Sequence, residues 1–335
     1  MLTACGKEPV ATPTDMTTVG PTPTATAPST AGNPPPCLDA KLVWADVLGR
    51  LLLTNCIDQF DMASVETVWA WDGSVWELLS ADGPPGNVVT GMAWDPDRDV
   101  LVRYGGIPLP DQECGTETWE WDMTAWRQVD ADAPEPCDHI ELAWDGVDGR
   151  ILLFGGGRGR ELDPGTWAWD GSEWTQVSDA GPAPRAHHGM FGGNGTIPGG
   201  RPVVHGGFDD SRVFEDMWVW NGSDWEEWPE DGSTPPSARS HHGLAGGAPG
   251  PLVFGGATTT STFDSLTDET WYYEFIGWRK IAADAPHPSA RGLPALGYDV
   301  AREVFVLYGG FGPDGTPLAD TWEFNHGTWR CMAGC

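Results

Sequence analysis

Apolar and polar positions alternate in short segments, and the same order of segments returns at intervals of 48 to 53 residues. In one copy the apolar run Ile151–Phe154 ends in the pair Gly155-Gly156, which is followed by Trp167-Ala168-Trp169 and then by Trp174. Side chains at i and i+2 lie on one face of a strand, so the first two of these tryptophans share a face. Another short strand with an Asp-containing turn precedes the apolar run. Each copy therefore predicts four short strands.

The aromatic positions of this pattern align in six copies, which indicates a repeat architecture. The first column is Trp69, Trp119, Trp167, Trp218, Trp271 and Trp322. The second column is Trp71, Trp121, Trp169, Trp220, Tyr273 and Phe324. The third column is Trp76, Trp126, Trp174, Trp225, Trp278 and Trp329. With a partial column of Trp44, Trp94 and Trp144, only Trp228 lies outside the pattern. The columns predict sheets that pack their aromatic rings against neighbouring sheets, so no exposed aromatic platform for carbohydrate is expected.

An apolar run, a Gly pair and two aromatics separated by a short hairpin resemble the kelch repeat. The likeness is greatest to bacterial kelch-repeat proteins and to the central propeller of galactose oxidase, and it extends over residues 38–335. It implies an all-β fold, a six-bladed kelch-type β-propeller with four antiparallel strands per blade. Each blade would be one continuous repeat, which leaves no strand to interlock the first and last blades. A fold of this kind does not define a function.

The N-terminal region differs from the repeats in composition. Leu2-Thr3-Ala4-Cys5 resembles the bacterial lipobox, whose cysteine is lipidated, and residues 8–36 are rich in Thr and Pro. Such a segment buries too little apolar surface to fold, so we expect a disordered stalk. The sequence thus predicts a linker over 1–36 and a propeller over 37–335. The expected location is the bacterial cell surface, with Cys5 as the lipid anchor.

The formal net charge is −31, which repels phosphate backbones and anionic lipid headgroups. We therefore expect no nucleic-acid partner, and contact with a membrane only through an N-terminal lipid. The chain also lacks a run of roughly 18 apolar residues, the length of a transmembrane helix. A monomer is expected.

Six cysteines follow Cys5, and an even set in a chain with extracellular features predicts disulfide bonds. They are Cys37, Cys56, Cys114, Cys137, Cys331 and Cys335. Because the repeats supply no interlocking strand, we expect a bond that joins the two ends of the ring.

The expected clamp links Cys37 to Cys331 or Cys335, with Cys56 bonded to the remaining terminal cysteine. A second bond is expected between the two cysteines that border the second repeat, Cys114 and Cys137. Six thiols allow many pairings, and six reduced, buried cysteines are the alternative.

Candidate ligand-binding residues lie between repeats, on the face that also carries the loops after the Gly pairs. These loops vary in length, as binding loops do, whereas the turns of the opposite face barely vary. The candidates are Arg185, Arg239 and Arg291, which could form a cationic rim for a carboxylate, and the column His139, His187 and His241. The adjacent His188 and His242 occupy a position where the kelch resemblance implies a structural histidine. Convergence of the histidine column on a metal is an alternative, but no metal or cofactor is predicted.

Three classes of function remain open from the sequence. A binding module for a protein or glycan ligand is favoured. A galactose-oxidase-like copper oxidase, or another carbohydrate-active enzyme, is the second class. That oxidase chemistry needs two Tyr, two His and a Tyr–Cys crosslink, whereas the repeats account for four of the five tyrosines and leave only Tyr272. We find no nucleophile–base pair or phosphate loop, so no catalytic residue is assigned. A surface scaffold without a discrete ligand is the third class.

The lipobox resemblance yields a test in the gene. We predict that the genomic reading frame continues upstream of Met1 through a basic and then an apolar segment, as a lipoprotein signal requires. Sequencing that region decides the matter, since an in-frame stop directly before Met1 removes the anchor.

Overall fold

The computed structural model of the protein describes residues 32–37, 39–56, 65–108, 114–159, 161–193, 199–229, 231–248, 250–261, 263–274, 277–283 and 286–335. Within these ranges the chain forms six antiparallel sheets of four strands each. The first strand of each sheet contacts the first strand of the next, and the sixth sheet returns to the first. The fold is therefore a six-bladed β-propeller, as the aromatic columns predicted.

Each blade is built from one continuous repeat, with its first strand at the central axis. The strands of blade 1 are Lys41–Ala45, Arg50–Thr54, Val68–Trp71 and Trp76–Ser80. Those of blade 2 are Gly91–Asp95, Val100–Tyr104, Thr118–Trp121 and Trp126–Val129. Those of blade 3 are Glu141–Asp145, Arg150–Phe154, Thr166–Trp169 and Trp174–Ser178.

The second half of the ring has the same plan. Blade 4 consists of Gly189–Phe191, Val203–His205, Met217–Trp220 and Trp225–Glu227. Blade 5 consists of Gly243–Gly246, Pro251–Phe254, Thr270–Tyr273 and Trp278–Ile281. Blade 6 consists of Ala295–Asp299, Val304–Tyr308, Thr321–Asn325 and Thr328–Ala333. The short pairs Asn87–Val88 with Ile107–Pro108 and Gly157–Arg158 with Glu161–Leu162 lie outside the blades. The described helical structure is one 3₁₀ turn, Phe263–Ser265.

The hairpin between the third and fourth strands explains the spacing of the tryptophans. In blade 3, Trp169 and Trp174 lie directly opposite each other, with ring centroids 5.3 Å apart. The Asp170 side chain accepts hydrogen bonds from the N–H groups of Ser172 and Glu173, at 2.8 and 2.9 Å. Gly171 supplies the left-handed conformation of the turn, with φ of 97°. An Asp-Gly turn thus fixes the register that brings the two aromatics together.

The third-column tryptophans also join neighbouring blades. Trp174 of blade 3 packs on Tyr104 of blade 2, at 5.1 Å between centroids, and its Nε1–H donates to Thr118 Oγ1 at 2.9 Å. The same bond recurs from Trp76 to Thr321, from Trp225 to Thr166 and from Trp329 to Thr270. The rings therefore lie between blades, as predicted, and these four N–H groups are satisfied there, whereas the Nε1–H of Trp126 is buried without a hydrogen-bond partner among the described residues.

The ring is closed by the segment 32–37, which takes the place of an inter-repeat segment. Tyr308 Oη of blade 6 donates to the carbonyls of Pro34 and Pro35, at 2.7 and 2.9 Å. In the same way Tyr104 Oη donates to the carbonyl of Pro134, between blades 2 and 3. Pro34 is buried, so the last part of the predicted stalk belongs to the propeller. Residues 8–31 of that stalk, and Cys5, lie outside the described residues.

Disulfide bonds are present, but the predicted clamp is wrong. Cys37 is bonded to Cys56, and Cys331 to Cys335, with Cα atoms 4.9 and 6.2 Å apart. The physical reason is that Cys37 and Cys56 occupy neighbouring positions within one repeat, whereas segment 32–37 and the Trp76–Thr321 bond already join blade 6 to blade 1.

The bond between Cys114 and Cys137 was predicted correctly; its Cα atoms are 5.8 Å apart. It fastens the loop after the Gly pair of blade 2 to the segment that precedes blade 3. All three disulfides therefore act locally.

We predict that Thr118→Val destabilises the propeller by about 1–3 kcal/mol, because Trp174 Nε1–H then stays buried without an acceptor. Thr118→Ser keeps the hydroxyl and serves as the control. Valine fits this position, since blade 1 has Val68 there. Urea unfolding measures the difference, and equal midpoints for the two variants would contradict the assignment.

Candidate functional site

The six first strands surround a cavity of about 210 Å³ along the axis of the propeller. At one end, the cavity opens on the face formed by the inter-repeat segments and the loops after the Gly pairs. We call this the loop face, and the opposite one the turn face. Six residues, one per blade, surround the opening on the loop face and are named the mouth ring. They are Asp39, Val89, His139, His187, His241 and Leu293.

The mouth ring is a repeated backbone feature. All six residues have φ between 47° and 58°, a conformation that Val and Leu rarely adopt. Backbone hydrogen bonds link ring members of adjacent blades: His139 N–H donates to Val89 O, His241 N–H to His187 O, and Leu293 N–H to His241 O. These bonds, at 2.6 to 3.1 Å, offset the conformational cost and hold the ring residues at the mouth.

The three predicted histidines meet at the mouth. The centroids of His139 and His187 are 4.4 Å apart, and the rings of His187 and His241 stack at 3.8 Å. Phe208 lies 5.7 Å from both His187 and His241, with its ring nearly parallel to theirs. Burial lowers the pKa of His241 to about 4 and that of His187 well below its usual value. At neutral pH, His187 and His241 are therefore neutral.

Metal binding by this column finds no support in the geometry. Across the described ranges, no group of three or more His, Cys, Asp and Glu side chains is arranged to hold a metal ion. The close stacking of His187 and His241 instead presents ring faces and edges to the opening.

A half-buried ion pair crosses the channel just inside the mouth. Lys41 Nζ of blade 1 lies 2.6 Å from Glu141 Oε1 of blade 3 and 3.3 Å from Asp39 Oδ1. Burial disfavours the charged form of Lys41, but the carboxylates of Asp39 and Glu141 outweigh that penalty and raise its pKa. This trio carries two acids and one base, so it is formally negative by one charge.

The predicted arginines do not form a cationic rim. Arg185 is fully buried; it makes two bonds to the Asp216 carboxylate, at 2.6 and 2.9 Å, and donates to the carbonyl of Gly206. Arg291 makes the same bonds to Asp320 and Gly309, and Arg239 makes one bond to the Glu269 carboxylate and one to the carbonyl of Gly255. The acids that pair with these cations stand two residues before the first-column tryptophans. The arginines therefore fasten inter-repeat segments to their own blades.

His188 and His242 are buried between blades, where the resemblance placed a structural histidine. His188 packs edge-on against Phe154, at 5.6 Å. His242 Nε2 lies 3.0 Å from Nδ1 of His205, a residue that the sequence analysis passed over. Its signal was its position before the Gly pair, where four other blades have Tyr or Phe.

Lys41, Glu141 and Asp39 were likewise missed. Lys41 and Glu141 share a repeat position, the first residue of the first strand, which is Gly or Ala in the other four blades. Candidate residues were sought as residue types that recur at the same position of several repeats. Lys41 and Glu141 share a position but are different residue types, so that search does not find them. The available signal was the departure from Gly or Ala at a position that faces the channel.

Two known proteins are similar to part of this chain. The tRNA wybutosine-synthesizing protein 4 of Emericella nidulans is 30% identical over 142 residues, 38% of this chain and 12% of that protein. The protein of the same name from Aspergillus fumigatus is 27% identical over 137 residues, 39% of this chain and again 12% of the relative. No family model matches the chain. The similarity covers a small share of each relative.

The buried histidines predict a loss of stability in mild acid. Burial lowers the pKa of His205 to about 3, against 6.5 in the unfolded chain. Between these values only the unfolded state binds the proton. The contribution of His205 is therefore complete above pH 6.5 and falls by about 1.4 kcal/mol per pH unit as the pH decreases toward 3.

We expect His205→Phe, which copies Phe154 and Phe254, to lower the pH dependence of the free energy of unfolding. The decrease corresponds to the uptake of one proton fewer on unfolding. Urea unfolding at several pH values between 5 and 6.5 measures it. Glu66, whose pKa burial raises to about 7, opposes the trend in both proteins and cancels from the comparison. An unchanged slope in His205→Phe would show that the buried imidazole does not control acid stability.

Proposed function

We propose that this propeller is a non-catalytic binding module. It holds a polypeptide partner on its loop face and takes one side chain of that partner into the mouth. The observation that carries the proposal is the open mouth with its three clustered imidazoles and the Lys41–Glu141 pair beneath them. Loops of unequal length surround this mouth, as in binding surfaces supported by a rigid scaffold.

The size of the cavity supports entry of a single group. Its volume of about 210 Å³ is below the roughly 300–1,000 Å³ of pockets that enclose a whole small molecule. One side chain fits, and the rest of the ligand would contact the surrounding loops. His139 and His187 are only half-buried, so their rings are reachable from the loop face.

A polypeptide is favoured over a glycan because the aromatic surface is occupied. The large exposed apolar side chains in the described ranges are Val47, Val65, Val75, Val147, Phe263 and Val300. None of these is a tryptophan or tyrosine on which a sugar ring would stack. Even Trp228, outside the columns, packs against Tyr273 at 5.5 Å.

A galactose-oxidase-like reaction is less well supported than binding. That chemistry needs a cysteine crosslinked to a tyrosine, and the six cysteines of the propeller are all in disulfide bonds. Tyr104 and Tyr308 are buried and donate to inter-repeat carbonyls, which assigns them to the fold.

The proposal places the module outside the cytoplasm, on a bacterial cell surface, as a kelch-type protein anchored through Cys5. Three disulfides are typical of extracytoplasmic proteins. The Thr/Pro-rich residues up to 31 would act as the spacer. Over the residues that the structure describes, there is no helix of the length and apolarity needed to span a membrane.

Selection of peptides from a display library, followed by affinity measurement on variants of the full chain, tests the binding function. We predict that His139→Leu weakens the selected peptides about tenfold, because a polar group of the bound side chain then loses its hydrogen-bond partner. The backbone tolerates leucine there, because Leu293 has the same conformation in blade 6. His326→Leu is the matched control, since His326 is exposed on the turn face and also has a positive φ.

If the selected peptides bind wild type and His139→Leu with equal affinity, the mouth is not the binding site. Failure to select any peptide would overturn the polypeptide partner, and a surface scaffold would then be the better description. If the wild type binds glycans on an array and His139→Leu abolishes that binding, the ligand of the mouth is a carbohydrate and not a polypeptide.

A further inference from the structure

The chemistry of the mouth identifies the kind of side chain it accepts, an inference that rests on the proposed binding function. Besides its histidines, the mouth end of the channel is lined by two acids, Asp39 and Glu141, and by one base, Lys41; a third acid, Asp46, follows the first strand and lies at the turn-face end. The arginines that suggested a carboxylate ligand are sealed in ion pairs away from this lining. The channel is therefore electronegative, within a chain whose net charge is −31.

The half-buried His139 is oriented by a carboxylate. His139 Nδ1 lies 3.0 Å from Asp138 Oδ1, and the other oxygen of that carboxylate accepts from Gly159 N–H. An ionised carboxylate can only accept, so Nδ1 donates to it, and in the neutral form of the ring Nε2 keeps the lone pair. His139, Asp39 and Glu141 all line the channel, Asp39 in the same mouth ring and Glu141 two residues after His139.

Lys41 shows that the mouth holds an ammonium group. Its Nζ lies between two carboxylates, and their attraction outweighs the cost of burial. The other blades place small residues or an acid at this position: Gly91, Glu141, Gly189, Gly243 and Ala295. The fold therefore does not require a lysine there, and Lys41 acts as a built-in cation that shares the carboxylates with any ligand.

We propose that the mouth binds the side chain of a lysine or arginine from the polypeptide partner. The cation donates to Glu141, Asp39 and the Nε2 of His139, while the stacked rings of His187 and His241 cover one side of it. A glutamate at that point is repelled by the carboxylates, and a neutral side chain gives them no charge-assisted hydrogen bond.

The probe is a capped heptapeptide, Gly-Ser-Gly-Lys-Gly-Ser-Gly, with versions that carry Arg, Gln or Glu at the centre. NMR titration of the full chain up to about 10 mM peptide reports binding in the millimolar range. We expect the Lys and Arg peptides to bind and the Gln and Glu peptides not to bind. Binding by the Glu peptide, or by none of the four, would overturn the proposal.

Three variants separate the mouth from diffuse attraction to an acidic surface. Glu141→Gln should weaken the Lys peptide about tenfold, the loss of a charge-assisted hydrogen bond. Lys41→Ala, which copies Ala295, should strengthen it because the competing cation is removed. Glu173→Gln makes the same change in charge at an exposed turn-face residue and should have no effect. Thermal unfolding checks that each variant folds.

Equal weakening by Glu141→Gln and Glu173→Gln would show surface attraction only, and weaker binding to Lys41→Ala would make Lys41 a ligand-binding group instead of a competitor. Either result refutes this inference. The binding function itself fails separately, when the display library yields no peptide. If the selected peptides contain no Lys or Arg and bind the Glu141→Gln variant as well as the wild type, the binding function stands. Only the proposal of a cationic side chain is then refuted.

Discussion

The propeller depends on the joint at which each Gly pair meets the next inter-repeat segment. The second glycine of blades 2 to 5 donates its N–H to the carbonyl that heads this segment: Gly106 to Cys137, Gly156 to Arg185, Gly207 to Arg239 and Gly256 to Arg291. The first glycine of the pair has no room for a side chain, since a Cβ on Gly206 would lie 2.5 Å from Arg239 O. In each inter-repeat segment the mouth-ring residue comes two positions after the residue with that carbonyl, and the first strand begins two positions later. Before blade 4 these residues are Arg185, His187 and Gly189. The joint therefore fixes both the ring closure and the opening of the channel.

The head of the inter-repeat segment is fastened by different chemistry in different blades. Before blades 4 to 6 it is an arginine bound to an acid and to a Gly-pair carbonyl, and before blade 2 it is Asn87, which donates to Gly105 O at 3.0 Å. Before blades 1 and 3 it is Cys37 or Cys137, each held by a disulfide to a loop nearby. The ion pair, the amide and the disulfide thus all fasten the head of an inter-repeat segment. This equivalence explains why the arginines are not a ligand site and why the disulfides are local.

The sequence was sufficient to predict the blades, because three aromatic columns align in all six copies of the repeat. The Asp-Gly hairpins, the inter-blade position of the tryptophans and the Cys114–Cys137 bond follow from local spacing. Which distant cysteines pair, and which residues meet across the channel, depends on distances that no single repeat contains. Lys41 and Glu141 lie one hundred residues apart and on blades that are not neighbours. One error was avoidable, since Asp216, Glu269 and Asp320 recur two residues before the Trp column and could have been recognised as partners of the arginines.

Function in a repeat fold is expected where the backbone repeats and the side chains do not. The third-column Trp is kept in all six blades, because its loss leaves a gap between sheets. The Thr position that accepts from it is kept in four blades and is Val68 or Met217 in the other two. The mouth ring is the opposite case. Its left-handed backbone is kept in all six blades, even where Val89 and Leu293 adopt it against their preference, while its side chains range from Asp to Leu to His. The backbone there is fixed by the joint and the side chains are not required by packing. The chemistry of the mouth is therefore the part of this propeller that its fold leaves free to match a ligand.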